Sequence, residues 1–373
     1  MIPVVHTERR RVSGTVRFPP PRARDGTARK RAPDVAFWLM SLLAALLILL
    51  SAIPARAAPP ELVLPLACAP NRDCWVANHV DHDPGPGVRD YHCGTLTYEA
   101  HNGTDFALRD LAAMQEGVAV LAAAAGRVRS LRDGVADVSV RDIGKDAVKD
   151  RECGNGVVIE HGEGWETQYC HLHRGSVRVK AGEQVAAGQT LGRVGLSGLT
   201  EYPHLHLSVR HNGKTVDPFS GEGSEGTAAA CQGGVPLWRA DTAAQLPYAP
   251  GAVYNVGFAS EPPEEAAVRA GRYRQAGPLR ADAPVIVFYA EVFGVAAGDV
   301  LEIRISGPQG AALAVQRFAI ERAQARRYAY LGAHRPAAGW QPGVYRGEAR
   351  LIHADGTVSP ASTQSASAEV APQ

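Results

Sequence analysis

Hydrophobic and polar positions change their period along this 373-residue chain, and the changes mark its parts. Phe37 to Ile53 is an unbroken apolar run, FWLMSLLAALLILLSAI, without a charge. From about residue 92 to 220 the apolar stretches are short, β-branched and divided by glycines. Val157-Val-Ile-Glu-His161 has the length and composition of a buried strand. Pro203-His-Leu-His-Leu-Ser-Val-Arg210 alternates, so its side chains divide between two faces. The series Val179-x-x-Gly182-x-x-Val185-x-x-Gly188-Gln189-x-Leu191-Gly192 reads as turns joined to strands. Glu116-Gly117 through Val120, with Gly126-Arg-Val128, repeats part of it. Ser130 to Cys153, charged and irregular, reads as a surface insertion beside a cleft. Farther on, Pro284–Phe293, Leu301–Ile305 and Gly343–Ile352 are strand-like, the last two with clean alternation.

The pattern predicts a mainly β protein with an antiparallel domain over 92–220. A linker over 221–237 and a C-terminal β-sandwich-like domain of immunoglobulin type over 238–360 follow. Residues 58–91 read as an extended lead-in, in which His79 and His82 are expected to sit in a solvated loop. Residues 361–373, rich in Ser, Ala and Pro, are expected to be a disordered tail. Residues 1–35 are basic and Pro-rich, with no apolar period. They read as a disordered extension or as the product of an upstream start codon.

Charge sharpens the N-terminal end. Residues 1–57 hold ten Arg/Lys and three Asp/Glu, a net of +7, and the whole chain is +1, so residues 58–373 carry −6. That balance gives no electrostatic case for nucleic acid. A basic flank, the apolar run and Ala55-Arg-Ala57 give 36–57 the form of a cleavable export signal, with an uncleaved membrane anchor as the alternative. Either way the body is expected outside the cytoplasm, in the periplasm or cell envelope. All six cysteines follow this segment, an even number in an oxidising compartment, which favours disulfides.

The candidate chemistry lies in three histidine motifs: His101-Asn-Gly-Thr-Asp105, Tyr169-Cys-His171 and His204-Leu-His206. On a strand, His204 and His206 share one face while Leu205 and Leu207 take the other. Side-by-side imidazoles are poor core material, since each needs a buried polar partner. Imidazole and carboxylate are both good zinc ligands, and the motifs supply enough of them for a site with an open position. His173 is the same-face neighbour of His171. His161, His211, His334 and His353 have no partner motif and read as surface residues.

In this order, H-x-x-x-D, Y-x-H-L and P-H-L-H resemble the lysostaphin-type (LytM-like) zinc metallopeptidases, which cut bacterial cell-wall peptides. Gly154-Asn-Gly-Val-Val-Ile-Glu-His161-Gly162, Val185–Gly192 and Gly195-Leu-Ser-Gly198 resemble further motifs of that family. The resemblance covers roughly residues 92–220. It implies the duplicated-hybrid-motif fold, an antiparallel β domain with a narrow groove. It also implies one zinc ion held by His101, Asp105 and His206, with His171 and His204 flanking the water and either of them the general base. Leu207-Ser208 stands where the family often has Phe-Glu, which removes a carboxylate that is not a ligand. Cys170 beside His171 suggests a disulfide next to the active strand.

The expected function is a zinc endopeptidase acting on peptidoglycan stem or cross-link peptides. The alternative is a non-catalytic wall-binding protein or activator of other wall hydrolases on the same fold. A biotin- or lipoyl-carrier module, suggested by the glycine turns, needs a lysine at a hairpin tip, and Lys180 is misplaced for that. The C-terminal domain is a candidate to bind glycan or a protein partner.

Overall fold

The computed structural model describes residues 58–223, 234–274 and 277–371. The N-terminal extension, the apolar run and Cys231 lie outside them. Among the described residues no helix is long and apolar enough to cross a membrane.

The first half is built on strands β1 (Cys74–Asn78), β2 (Thr104–Leu108), β3 (Ala119–Leu121), β4 (Gly126–Arg132), β5 (Asn155–Gly162), β6 (Trp165–Leu172), β7 (Gln184–Val185), β8 (Thr190–Arg193), β9 (His204–His211) and β10 (Lys214–Val216). Eight of them form one antiparallel sheet in the order β1-β2-β9-β6-β5-β4-β7, with β10 paired to β9, and β3 pairs with β8. Alternation sorts the faces. Leu205, Leu207 and Val209 of β9 are at most 1% exposed and join Phe106, Val157, Ile159 and Tyr169 in the core. Each such aliphatic burial contributes roughly 1.5–3 kcal/mol. The opposite residues of the same strands, Asp105, His204, His206 and Cys170, lie in register across β2, β9 and β6.

The lead-in departs from expectation. β1 lies within 58–91 and forms the edge of the sheet. His79 and His82 are buried, at 2% and 7% exposure, not solvated. Carboxylates organise this stretch where no strand ladder does. Asp81 accepts from the backbone N–H groups of Asp83, Arg89 and Ala100, and Asp90 from those of His92, Gly94 and Leu96. His82 Nε2 lies 2.8 Å from the fully buried Asp217 Oδ2, which fastens the segment to the chain after β10. Trp238 bridges Leu62, and Leu237, Trp238 and Leu246 join the first core, so this stretch packs with the sheet domain and not with the sandwich. Disulfides link Cys68–Cys74 and Cys153–Cys170, and Cys93 is disulfide-bonded as well.

The C-terminal strands are β11 (Ala252–Ala259), β12 (Val285–Val295), β13 (Val300–Ser306), β14 (Ala312–Ala319), β15 (Gln324–His334), β16 (Gly343–Ile352) and β17 (Thr363–Val370). They make a three-stranded sheet, β11-β12-β15, and a four-stranded one, β14-β13-β16-β17, around a common core that includes Phe288, Ile303, Tyr345 and Leu351. The tail expected to be disordered is β17, paired along β16. Its alternation is real but written in small residues: Ala366, Ala368 and Val370 face the core while Ser365, Ser367 and Glu369 face away.

Candidate metal centre

The turn from His101 to Asp105 exists because Gly103 passes close under β9. A Cβ there would lie 2.6 Å from His206 Nε2 and 2.7 Å from the Leu207 carbonyl, so no other residue fits without displacing the histidine. β2 then pairs with β9 so that Asp105 faces His206 and Ala107 faces His204. His101 Nε2, Asp105 Oδ1 and His206 Nδ1 form a buried triangle with edges of 3.2, 2.9 and 3.1 Å.

The polar neighbours fix which atoms face the triangle. His101 Nδ1–H donates to the His79 carbonyl at 2.5 Å, which leaves the Nε2 lone pair pointing inward. His206 Nε2–H donates to Ser208 Oγ at 3.0 Å and faces Asn102 Oδ1 at 3.2 Å, which leaves the Nδ1 lone pair pointing inward. Asp105 Oδ2 accepts from Asn78 Nδ2 at 2.9 Å. Two imidazole lone pairs and a carboxylate oxygen therefore converge at about 3 Å, an arrangement that repels itself until a cation closes it. Tetrahedral zinc with bonds of roughly 2.0–2.1 Å wants ligand atoms about 3.3 Å apart, so the donor set fits the ion in chemistry and in spacing.

Two further imidazoles stand beside the triangle. His204 Nε2 lies 3.4 Å from Asp105 Oδ1, while its Nδ1 faces the Tyr202 carbonyl at 3.0 Å and Thr200 Oγ1 at 3.1 Å. The His171 ring is 4.7 Å from that of His204, and its Nδ1–H donates to the Ser197 carbonyl at 2.8 Å. His171 has φ +64°, a left-handed conformation that a non-glycine residue adopts at a cost. It is held there on every side. Its N–H donates to the Cys153 carbonyl, its carbonyl accepts from Gly195, and Cys170 is tied to Cys153.

The buried groups of the cluster shift one another. Burial alone would raise the Asp105 carboxyl, but His101 and His204 hold it well below the usual range. Burial, then the neighbouring histidines, holds His171 well below an ordinary imidazole. Burial also lowers His206, whereas at His101 Asp105, with the His79 carbonyl and Asp81, outweighs burial and raises it.

All five residues singled out in the sequence meet here. His173 does not: the turn at His171 sends it toward Asp137, at 3.7 Å. His161 is a half-buried staple between the Ala125 carbonyl and Thr167 Oγ1, not a surface residue. Sequence reasoning missed Asn78, Ser197, Tyr202 and the supporting part of Ser208. Of these only Ser208 carried a signal, since it follows H-x-H by two and shares its face.

The His101/Asp105/His206 triangle, flanked by two imidazoles on one face of an antiparallel sheet, is a group that could hold a metal ion. Residues 99–218 match Peptidase family M23, and this stretch of the chain is an M23 peptidase domain of LytM type. It is 43% identical over 67 residues to the DD-carboxypeptidase/endopeptidase Mpg of Neisseria meningitidis, covering 18% of this chain and 15% of that protein. The peptidoglycan DD-endopeptidase ShyA of Vibrio cholerae is 33% identical over 129 residues, covering 35% of this chain and 24% of ShyA. Among solved structures, a zinc-containing peptidase from Vibrio cholerae aligns at 28% identity over 38% of this chain and 39% of that one, with a TM-score of 0.25. The chain thus spans under a quarter of the length of these two curated relatives.

Proposed function

We propose that this protein is an exported zinc-dependent endopeptidase that hydrolyses peptide bonds in the stem or cross-link peptides of peptidoglycan. The observation that carries the reading is the triangle of His101, Asp105 and His206, whose lone pairs converge beside two imidazoles with tethered Nδ1 atoms. The family match and the relatives' named activities on peptidoglycan support the substrate class.

In this reading His101 Nε2, Asp105 Oδ1 and His206 Nδ1 hold one zinc ion. When bound, zinc supplies Lewis-acid activation of water and of the scissile carbonyl. The protein does the rest. Asn78, Ser208, Asn102 and the His79 carbonyl fix the ligand tautomers and orientations. His171 and His204, each with Nδ1 engaged, present Nε2 as the atom that takes a proton from water or steadies the developing oxyanion. Residues 36–57 serve as the export signal or anchor and place this chemistry in the cell envelope.

The test is digestion of purified sacculi and defined cross-linked wall peptides, with the products identified by mass spectrometry. Cleavage that is lost on chelation, restored by zinc and absent in His206→Ala supports the reading. Stoichiometric zinc binding with no cleavage of any wall peptide overturns the enzymatic reading and leaves a wall-binding or activator role. Cleavage that survives metal removal overturns the metal mechanism.

A further inference from the structure

We infer that the C-terminal sandwich is part of the metal centre's support, with Tyr254 as a positioning residue acting through Trp75, Asn78 and Tyr202. The inference rests on the zinc site proposed above.

The chain of contacts begins at β1. Its pairing with β2 runs Cys74↔Leu108, Trp75↔Ala107, Val76↔Phe106 and then, after one inserted residue, Asn78↔Asp105. Paired residues of an antiparallel ladder point to the same face, and an inserted residue swaps the faces beyond it. Trp75 and Asn78 therefore both lie on the face that bears Asp105, His204 and His206, while Cys74 and Val76 take the core side. The edge strand thus reaches the site twice. Asn78 holds Asp105 Oδ2, and the carbonyl of the next residue, His79, holds His101 Nδ1.

An edge strand has only one neighbour to keep it in place. Here the second support is the sandwich. Trp75 is 1% exposed, and Tyr254 of β11 meets it edge-on, ring centroids 6.1 Å apart at 70°. Phe293 of β12 backs Tyr254 at 5.7 Å, and Leu96, Ala252 and Ala361 complete one apolar cluster spanning the two domains. Asn78 opens a second route to the ligands. Tyr202 stacks on His204 at 4.6 Å, its carbonyl faces His204 Nδ1, and its hydroxyl accepts from Asn78 Nδ2 at 3.2 Å. Asn78, on the strand that Tyr254 backs through Trp75, is thus hydrogen-bonded to Tyr202, and between them they touch Asp105 and His204.

The site therefore depends on a domain that contributes no atom to it. Direct hydrogen-bond partners of metal ligands typically change metal affinity about 10- to 100-fold when removed, and a residue one step farther out is expected at the lower end. The experiment measures zinc affinity of the full-length protein by competition with a chromophoric chelator, beside thermal unfolding and the kcat and KM of wall-peptide cleavage. Tyr254→Ala is expected to weaken zinc binding about tenfold and to lower kcat more than KM, while Tyr254→Phe, which keeps the ring on Trp75, stays within about twofold of wild type. Phe293→Leu, a milder change behind Tyr254, should give an intermediate loss if Tyr254→Ala does not fold. Wild-type zinc affinity in a folded Tyr254→Ala or Phe293→Leu protein overturns the inference, even when its unfolding temperature falls. If the wild-type protein itself takes up no zinc, the proposed metal site fails, and the support inference fails with it.

Discussion

The second bond of His206 allows a quantitative test. Its Nδ1 faces the metal triangle only while the proton stays on Nε2, and two acceptors hold it there: Ser208 Oγ at 3.0 Å and Asn102 Oδ1 at 3.2 Å. Ser208 is 1% exposed, whereas Asn102 is exposed. Ser208→Ala removes the buried acceptor and puts a methyl group in its place. A neutral hydrogen bond contributes about 0.5–1.5 kcal/mol, so zinc affinity should fall roughly 2- to 13-fold. Asn102→Ala should cost less, under about threefold, because water replaces an exposed acceptor. The double variant leaves the Nε2–H with no protein acceptor, and the proton then has no reason to avoid the ligand nitrogen. Its loss should reach about 10- to 100-fold and exceed the product of the single losses. The assay is chelator competition on all four proteins, with circular dichroism to confirm folding. A coupling energy within about 0.3 kcal/mol of zero would refute the tautomer argument. Unchanged affinity in the double variant would remove His206 from the ligand set.

His204→Ala and His171→Ala should each retain stoichiometric zinc but lower the rate of peptide cleavage by about 10²–10⁴-fold, whereas His206→Ala should lose the metal; metal content beside turnover separates the two classes. Glu291 is fully buried next to Asn255, and burial pushes its carboxyl up to about 7. A carboxyl raised on folding contributes fully below its unfolded pKa of about 4.5 and loses that contribution as pH rises toward 7. Glu291→Gln should therefore unfold with less pH dependence between those values and gain up to about 3 kcal/mol on wild type near pH 8, measured by urea titration. An equal pH dependence in both proteins would contradict this. Replacing Cys153 and Cys170 by serine opens a loop of sequence separation 17 and should cost about 3 kcal/mol in the same titration. It should also lower cleavage, because the strained turn at His171 loses one of its restraints; unchanged cleavage would show that the remaining hydrogen bonds suffice.

In the candidate metal centre the H-x-H pair was legible because its side chains have few other uses, whereas His101, Asp105 and the division of roles came with the family resemblance. Two imidazoles on one strand face, with Leu205 and Leu207 opposite, cannot be core, and that alone separates His204 and His206 from the lone histidines. The sandwich was legible where alternation is written in large residues, as in Leu301-Glu-Ile-Arg-Ile305, and illegible in β17, where Ala366 and Ala368 carry the same alternation with little apolar area. The lead-in failed for another reason. Period-based reading recognises strands and helices, but Asp81 and Asp90 fold this stretch by collecting backbone N–H groups, and an acid-rich segment doing so looks like a solvated one. Asn78 is the sharpest case. Strict period two would place it with Cys74 and Val76 on the core face, where an amide has no place, and β1 would then be discounted as a strand. One inserted residue between Val76 and Asn78 reverses that face and brings the amide onto Asp105. No composition or periodicity announces the insertion, yet it is what gives the buried Asp105 carboxylate its hydrogen bond at Oδ2.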